Sequence, residues 1–378
     1  MAARKKLEKG LEGVLAAETS LCHVDGKRGR LIYRGYDILD LARHATFEEV
    51  AYLLWFGNLP TAAQLEELLS RLAAARDIPA EVLAYMQGFP MSATPMDVLR
   101  TAVSAAAFHD PEAEDNAREP NVRKAIRLTA QIATIVAAVD RLRNGLEVVP
   151  PDPKLNHAAN FLYMLQGEPP DEATARDFDV CLVLHAEHEL NASTFAARVT
   201  AATLADMYAS ITTAIGTLKG SLHGGANQRV LEMLQEIGEP ERVDSYIRQA
   251  IADKRRIPGF GHRVYKTEDP RATVLRRISR ELGERTGEPK WFLMSQRVEE
   301  LIWEAKQLKP NVDFYSASVY QSLGIPVDLF TPIFAVSRIA GWAAHLLEQY
   351  GDNRLIRPLA LYTGPKRQRY IPIQKRTA

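Results

Sequence analysis

The stretch TFAARVTAATLADMYASITTAIGTL, residues 194–218, is rich in alanine and threonine and carries few charges. A helix of this composition has a smooth surface of small side chains and suits a position buried among other helices. We therefore predict a buried helix over Thr194–Leu218. The stretch favours a fold in which helices pack on helices.

Helix start and stop signals recur along the chain. Thr46 and Glu49 form a capping box ahead of an apolar run that ends at Gly57. Thr61 and Gln64 repeat the capping box before the next run. Strands do not alternate with helices, and no sequence repeat of roughly 20 to 50 residues is present. The sequence therefore predicts an all-α fold.

The one strand signal lies near the start of the chain. Leu21–Val24 and Arg30–Tyr33 flank the segment DGKRG, residues 25–29, which has the composition of a hairpin loop. We predict a short N-terminal β-hairpin there.

Length and charge limit the class of protein. A chain of 378 residues exceeds the commonest domain size, so we expect two domains. Lys plus Arg and Asp plus Glu number 47 each, which leaves no net charge to attract nucleic acid or an anionic membrane. We expect no nucleic-acid partner, and anionic ligands would need local clusters of arginine.

The cysteines and the most apolar segments of the sequence indicate in which cellular compartment the protein resides. Cys22 and Cys181 form neither a disulfide framework nor a zinc-ligand spacing, a pattern that suits a reducing cytosol. No apolar stretch of signal-peptide length follows the basic segment Met1–Gly10. The most apolar windows, such as Gln131–Val139, are shorter than the ~18 residues that a membrane span needs. We therefore predict a soluble, cytoplasmic protein with no membrane partner.

Histidines occur in three unusual segments. These are HAEHELNAST at residues 185–194, GSLHGGANQ at 220–228 and PGFGHRVYK at 258–266. Glycines next to His223 and His262 let the backbone approach a ligand closely and adopt dihedrals that other residues avoid. Each histidine could then present a ring nitrogen to a substrate oxygen. The alternative is that both segments are tight turns whose histidines only pack.

A metal site is one interpretation of the first segment. His185 and His188 are three residues apart and would share a helical face, with Glu187 and Glu189 beside them. The H-E-x-x-H order of zinc hydrolases is absent, and no motif supplies a third ligand. The other interpretation is that one histidine is structural and the other binds a substrate.

Cations are concentrated near the third segment. Six of them fall within eighteen residues: Lys254, Arg255, Arg256, Arg263, Lys266 and Arg271. They belong either to a solvated helix end or to a site for phosphates and carboxylates, which arginine clamps with two hydrogen bonds. No glycine-rich nucleotide fingerprint accompanies them.

An aspartate, Asp313, precedes an apolar helical run. From the residues alone it is an N-cap or an acid in the first helical turn. A role as a catalytic base becomes credible only together with the histidine segments.

The chain resembles the citrate synthase family in six blocks that follow the family order from about residue 18 to the C-terminus. The blocks are GRLIYRGYDILDL (29–41), HAEHELNAS, GSLHGGAN, PGFGHRVYK with DPR (269–271), NVDFYSA (311–317) and AVSRIAGW (335–342). The resemblance implies condensation of acetyl-CoA with oxaloacetate, followed by hydrolysis of the citryl thioester to citrate and CoA. No metal and no redox cofactor are implied.

Site roles also follow from the resemblance. Asp313 would abstract the methyl proton of acetyl-CoA while His223 donates a hydrogen bond to the thioester oxygen, and His262 would polarise the oxaloacetate carbonyl. His188, Arg271, Arg338 and Arg357 would bind oxaloacetate, with Arg357 reaching the neighbouring site of a homodimer. CoA would contact Arg256, Gly259, Phe260, Gly261 and Lys266. For His185 no role is implied.

The implied architecture is a cleft between two helical domains. The two ends of the chain, residues 1–219 and 325–378, would form the large domain, and residues 220–324 would form the small one. The small domain would close over oxaloacetate and exclude water.

Three alternatives stay open at this point. A 2-methylcitrate synthase would use propionyl-CoA, and one added methyl group is worth only ~1–3 kcal/mol in an apolar pocket. A metal-dependent hydrolase would need zinc on the His185 and His188 pair. A helical scaffold protein would have little use for the histidine segments.

Overall fold

Helices carry almost all of the regular structure, which confirms the predicted all-α class. The structure is a computed structural model that describes residues 8–376. Three strands lie near its start: β1 (Cys22–Asp25), β2 (Arg30–Tyr33) and β3 (Tyr36–Asp37). The helices are α1 (Ile38–His44), α2 (Phe47–Phe56), α3 (Ala62–Ala74), α4 (Ala80–Gln87), α5 (Pro95–Ala106), α6 (Arg118–Arg143), α7 (His157–Gln166), α8 (Glu172–His185), α9 (Ala192–Ala201), α10 (Met207–Leu218), α11 (Ala226–Ile237), α12 (Val243–Ala252), α13 (Pro270–Thr286), α14 (Lys290–Lys306), α15 (Val312–Ser322) and α16 (Phe330–Gly351).

The predicted hairpin is present and gains a third strand. β1 pairs antiparallel with β2, so that Cys22 faces Tyr33 and Asp25 faces Arg30. The two-residue strand β3 then pairs with the end of β2. So short a strand carries no alternating pattern, and for that reason the sequence did not reveal it.

Local capping chemistry sets the helix starts as predicted. The Thr46 hydroxyl accepts the backbone N–H of Glu49, whose carboxylate accepts the N–H of Thr46 in return. Thr61 and Gln64 make the same reciprocal pair at the start of α3. These bonds satisfy N–H groups that have no partner within the helix.

The single helix predicted over Thr194–Leu218 is wrong, because two helices meet there. Between α9 and α10 the chain turns through Leu204, whose φ of 67° lies in the left-handed region. Asp206 then caps α10 by accepting the N–H of Ala209 at 3.0 Å. Because the side chains on both sides of the turn are uniformly small, the sequence does not reveal that the helix is interrupted there. The expected burial holds for the apolar faces of both helices, which pack against each other.

The long helix α16 is the centre of the larger group of helices. It packs against α2, α5, α6, α8, α9 and α10. Its side chains Ile339, Trp342 and Leu346 are fully buried. Arg338 and His345, also on α16, are buried as well, which places polar chemistry inside this core.

One helical stretch has the length and hydropathy that a membrane span requires. It covers Val327–Gly351, with a mean hydropathy of 1.2, and 83% of its most apolar window is buried inside the protein. The expectation that every apolar window is too short is therefore wrong for this stretch. Its burial is that of a core helix, and within residues 8–376 no second stretch meets the same criteria.

A second group of helices follows in the chain. α13, α14 and α15 pack on one another, α11 packs on α15, and α12 packs on α14. This group touches the first through contacts of α13 with α1 and α8, and of α11 with α16. Segments from both groups line the cleft described next.

Candidate functional site

A cleft of about 540 Å³ gathers side chains from six distant parts of the chain. It brings together six of the predicted residues: His188, His223, His262, Arg271, Asp313 and Arg338. Side chains so far apart in sequence meet because α13, α15 and α16 begin or pass beside the loops that carry the histidines.

His223 lies in the turn between α10 and α11. The neighbouring glycine is required there, since a Cβ at Gly224 would overlap the carbonyl oxygen of Leu218 and lie 2.9 Å from Thr331 Cγ2. His223 Nε2 lies 3.3 Å from the backbone N of Ser193 and 2.8 Å from its Oγ.

This contact selects one tautomer of His223. The backbone N–H of Ser193 can only donate, so Nε2 must accept and the ring proton resides on Nδ1. Trp342 Nε1–H donates to the same Ser193 hydroxyl at 3.2 Å and holds it in place. Burial, with a smaller contribution from Arg338, lowers the pKa of His223 to about 4. The neutral ring can therefore donate Nδ1–H.

His262 has the opposite tautomer. Its Nδ1 accepts the backbone N–H groups of Val264, at 3.0 Å, and Tyr265, at 3.2 Å. The proton therefore resides on Nε2. Burial, followed by the effect of Arg271, lowers the pKa of His262 to about 4. A neutral ring with a free Nε2–H is suited to donate to a substrate oxygen.

His188 packs next to His262. Their ring centroids are 5.2 Å apart, and His188 Nε2 lies 3.2 Å from the hydroxyl of Tyr265. Burial lowers the pKa of His188 well below its usual range, and Arg271 adds to this effect. A third neutral imidazole therefore lines the cleft.

His185 and His188 do not share a helical face, contrary to the sequence interpretation. α8 ends at His185, and His188 lies beyond the helix end. His185 is fully buried, its Nδ1–H donates to the carbonyl of Cys181 at 2.8 Å, and burial lowers its pKa to about 3. His185 is a core residue, and across residues 8–376 no group of three His, Cys, Asp or Glu side chains is placed to hold a metal.

Arg271 is buried at the start of α13 and held by its neighbour. Asp269 accepts from Arg271 Nε at 3.0 Å and from Nη2 at 2.8 Å. The same carboxylate accepts the N–H of Val312 at 3.1 Å, which fixes the start of α15 beside the arginine. Asp269 therefore compensates the buried charge and orients the guanidinium.

Arg338 approaches the cleft from α16. Its Nε donates to the carbonyl of His185 at 2.7 Å, and its guanidinium carbon lies 4.5 Å from the ring centroid of Phe334. The guanidinium is buried, and this burial lowers its pKa. A negatively charged ligand in the cleft would compensate the positive charge of this buried guanidinium.

Asp313 lies in the first turn of α15. The N-cap is Asn311, whose side chain accepts the N–H of Asp313 at 3.0 Å. Burial raises the pKa of Asp313 to about 6, against the opposing effect of Arg271. Its carboxylate is thus a stronger base than an exposed one but still ionised at neutral pH.

A second cavity of about 420 Å³ joins the cleft. Its wall includes Arg256, Gly259 and Phe260, three of the residues predicted to contact CoA. Five residues line both cavities: Ser221, Ala226, Arg229, Arg256 and Asn311. Gly259 has a φ of +80°, and a Cβ there would lie 2.8 Å from Phe314 and Val230 side-chain atoms. A side chain at this position would therefore displace the loop.

Two predicted residues lie outside the joined cavities. Lys266 faces a different depression, next to Trp303 and Lys309, and its Nζ donates to the carbonyl of Arg263 at 3.2 Å. Gly261 borders both the cleft and this depression. Arg357 is exposed on the segment that follows α16 and does not line the cleft of its own subunit.

Several supporting residues were missed by sequence reasoning. Ser193 and Trp342 orient His223, Asp269 orients Arg271, and Tyr265 contacts His188. Of these residues, Asp269 could have been predicted from the sequence, because it lies two residues before Arg271 in the DPR block. The other contacts join residues that are distant in the chain.

Comparisons with known proteins show what the whole chain is similar to. A family model described as "Citrate synthase, C-terminal domain" matches residues 10–359. Citrate synthase of Haloferax volcanii is 53% identical over 376 residues, covering 98% of this chain and 99% of the relative. 2-Methylcitrate synthase 2 of Corynebacterium glutamicum is 42% identical and covers 98% of both chains. The solved structure of Thermoplasma acidophilum citrate synthase, a ternary complex with carboxymethyl coenzyme A and oxaloacetate, matches with a TM-score of 0.92 at 33% identity, covering 98% of this chain and all of that one.

Proposed function

The chain belongs to the citrate synthase family, and we propose that Asp313, His223 and His262 carry out the condensation of acetyl-CoA with oxaloacetate in the cleft. One observation supports the assignment most. A carboxylate with a raised pKa lines the same cleft as two neutral histidines whose free N–H groups are on opposite ring nitrogens. These are the base and the two donors that the condensation needs.

The first step is removal of a methyl proton from acetyl-CoA. Asp313 takes the proton while Nδ1–H of His223 donates to the thioester oxygen, on which negative charge develops. A neutral donor suits this step because it stabilises the enol without first losing a proton to Asp313. The side chains of Asp313, His223 and His262 are only half-buried, so closure of the small domain over oxaloacetate is needed to keep water from competing for these hydrogen bonds.

The second step forms the carbon–carbon bond. The enol carbon attacks the oxaloacetate carbonyl carbon, while Nε2–H of His262 polarises the carbonyl oxygen and protonates it as the bond forms. Water then hydrolyses the citryl thioester: its oxygen joins the acyl carbon, and one of its protons restores Nε2–H of His262. Protonated Asp313 gives its proton to the departing CoA thiolate, and the new carboxyl group of citrate loses its remaining proton to solvent. The proposed steps use no metal and no redox cofactor.

Oxaloacetate is a dianion, and the cationic groups of the cleft match it. Arg271 and Arg338 are oriented by Asp269 and by the carbonyl of His185, so both guanidiniums are fixed before the substrate arrives. His188 completes this substrate site. Preorganised cations cost little ordering entropy on binding, which favours tight binding of a small dicarboxylate.

CoA occupies the joined second cavity. Arg229 and Arg256 line both spaces, so phosphates in the second cavity and a thioester in the cleft can belong to one extended ligand. Gly259, Phe260 and Gly261 shape the connecting loop. Lys266 faces a separate depression, which Gly261 also borders, and from there it contacts the nucleotide end of CoA.

The acyl donor is acetyl-CoA, with propionyl-CoA as the alternative. The higher identity to a citrate synthase than to a 2-methylcitrate synthase supports this order. Both donors require the same base and the same histidines, so a direct rate comparison decides between them.

The cleft lies between two domains in this proposal, residues 1–219 with 325–378 and residues 220–324. The packing of α11–α15 on one another supports the division.

We also propose that the protein resides in the cytoplasm. The two buried cysteines, which are free thiols, support it.

Arg357 completes the neighbouring site in a homodimer. The segment that carries it is exposed and presents apolar side chains such as Leu359, at 76% exposure, and Tyr370, at 78%. These exposed apolar side chains, which are interspersed with charged ones, would be buried against a second subunit.

Paired variants test the exchange of Arg357. We expect Arg357→Ala and Asp313→Asn each to inactivate the homodimer. Heterodimers isolated by two different tags should regain about half of the wild-type activity, because one site then has both residues intact. CoA release measures the result. Inactive heterodimers would place Arg357 in the site of its own subunit, and an active Arg357→Ala homodimer would place it outside the site.

The pH dependence should follow Asp313. Its carboxylate acts in the ionised form, so kcat/KM for oxaloacetate should be half-maximal near pH 6, level off above about pH 7 and fall about tenfold per pH unit at lower pH. His223 and His262 stay neutral over this range because their pKa values are about 4. The measurement is a rate profile between pH 4.5 and 8. A rate that stays at its maximum down to pH 5 would show that Asp313 is not the group that titrates.

A further inference from the structure

The turn of the N-terminal hairpin contacts the loop that carries His262. This turn, residues 25–29, joins β1 to β2, and the backbone N–H of Lys266 donates to the carbonyl of Gly26 at 2.8 Å. Asp25 shapes the turn by accepting the N–H groups of Lys27, at 3.1 Å, and Arg28, at 3.0 Å.

Two glycines allow this close approach. A Cβ at Gly26 would overlap the carbonyl oxygen of Val264 and lie 2.7 Å from its carbonyl carbon. A Cβ at Gly29 would lie 2.7 Å from both the carbonyl oxygen of Glu268 and the hydroxyl of Thr267. At Gly26, backbone therefore packs directly on backbone, with no flexible side chain between them to absorb a change.

One of the contacted residues, Val264, holds the ring of His262, and the next residue, Tyr265, does so as well. The N–H groups of Val264 and Tyr265 both donate to His262 Nδ1, and Tyr265 reaches His188 through its hydroxyl. A shift of the Val264 backbone would therefore move the Nε2–H of His262.

The other end of the hairpin holds the segment that carries His188. Tyr33, at the end of β2 and fully buried, donates its hydroxyl to the carbonyl of Glu187 at 2.7 Å. The N–H of Glu187 in turn lies 3.2 Å from the same hydroxyl. One small sheet thus contacts the segments of two substrate-facing histidines.

We propose that the hairpin turn, residues 25–29, is a positioning element that fixes His262, through the backbone contact of Gly26 with Val264, for polarisation of the oxaloacetate carbonyl. The inference rests on the proposed function of His262. None of the turn residues lines the cleft, so their effect is indirect.

The principal test is the variant Gly26→Ala. Its matched control is Gly88→Ala, because Gly88 has an ordinary helical conformation and a Cβ there meets nothing closer than 3.5 Å. We expect Gly26→Ala to lower kcat about 10- to 100-fold, a cost typical of a small misplacement of a catalytic group. Circular dichroism and thermal unfolding establish that each variant is folded.

A spectroscopic readout separates positioning from general damage. The infrared carbonyl stretch of bound oxaloacetate reports how strongly Nε2–H polarises that bond. In Gly26→Ala the stretch should shift back toward the value of free oxaloacetate, whereas in Gly88→Ala it should equal that of the wild type. A wild-type stretch and kcat in folded Gly26→Ala would overturn the proposal.

A second pair of variants decides the matter if Gly26→Ala does not fold. Asp25→Ala removes the acceptor that shapes the turn, whereas Asp25→Asn keeps a side-chain oxygen in the same position. In Asp25→Ala we expect a lower kcat and a shifted carbonyl stretch of bound oxaloacetate. In Asp25→Asn we expect both quantities to equal those of the wild type. Equal behaviour of the two would overturn the proposal. Absence of condensation by the wild type would instead refute the proposed function.

Discussion

Asp313→Asn should lower kcat about 1,000-fold, within the 10²- to 10⁴-fold range of general base catalysis. The amide keeps the shape of the side chain and can stay beside Asn311, but it cannot accept the methyl proton of acetyl-CoA. KM for oxaloacetate should change little, because the carboxylates of that substrate are assigned to the arginines. Steady-state CoA release at saturating substrates measures the loss.

Asp244→Asn is the matched control for this prediction. Asp244 also lies in the first turn of a helix, α12, but it is half-exposed and pairs with Arg297 at the surface. It should retain wild-type kcat. A folded Asp313→Asn variant with more than a tenth of wild-type kcat would contradict the role of Asp313 as the base.

His223→Ala should lower kcat about 100- to 1,000-fold, the usual cost of removing one donor to a developing oxyanion. The loss should appear in kcat, since the hydrogen bond from Nδ1–H strengthens as charge builds on the thioester oxygen. Ser193 would lose its partner at Nε2, but the surrounding helices remain packed. The measurement is again CoA release, now with separate titrations of both substrates.

His109→Ala is the control for this second prediction. His109 is exposed and lies next to Glu81, far in the chain from the cleft residues. Its removal should leave kcat unchanged. A loss in His223→Ala that appears only as a higher KM for acetyl-CoA would assign His223 to binding and not to stabilisation of the enol.

Burial has opposite chemical consequences for the acid and for the histidines. It raises the pKa of Asp313 to about 6 and lowers those of His223 and His262 to about 4, because it disfavours the charged form of each group. Near neutral pH the cleft therefore holds an ionised base beside neutral donors. This separation makes proton transfer from the substrate to Asp313, and not between the side chains, the productive path.

Sequence was sufficient for the local features and for several of the residues that line the cleft. The capping boxes at Thr46 and Thr61 each involve a partner only three residues away, so the local sequence is enough to predict them. The histidine segments stand out because glycine beside histidine is an unusual local arrangement. The structure brings His223 and His262 into one cleft.

Features that depend on long-range contacts did not follow from the sequence. Ser193, which selects the tautomer of His223, is thirty residues away from it. Tyr246 and Met233, in the wall of the second cavity, belong to α12 and α11 and resemble ordinary core residues in the sequence. The break at Leu204 is set by a left-handed residue and a new N-cap within a uniformly small-residue stretch.

The most direct test of the central claim is the release of CoA thiol in the presence of oxaloacetate, followed by absorbance with a thiol reagent. Acetyl-CoA and propionyl-CoA are supplied in parallel, with Asp313→Asn as the inactive reference. We predict oxaloacetate-dependent release that is faster from acetyl-CoA and absent in the variant. Faster release from propionyl-CoA would keep the mechanism and change the substrate. No oxaloacetate-dependent release from either thioester would contradict the account.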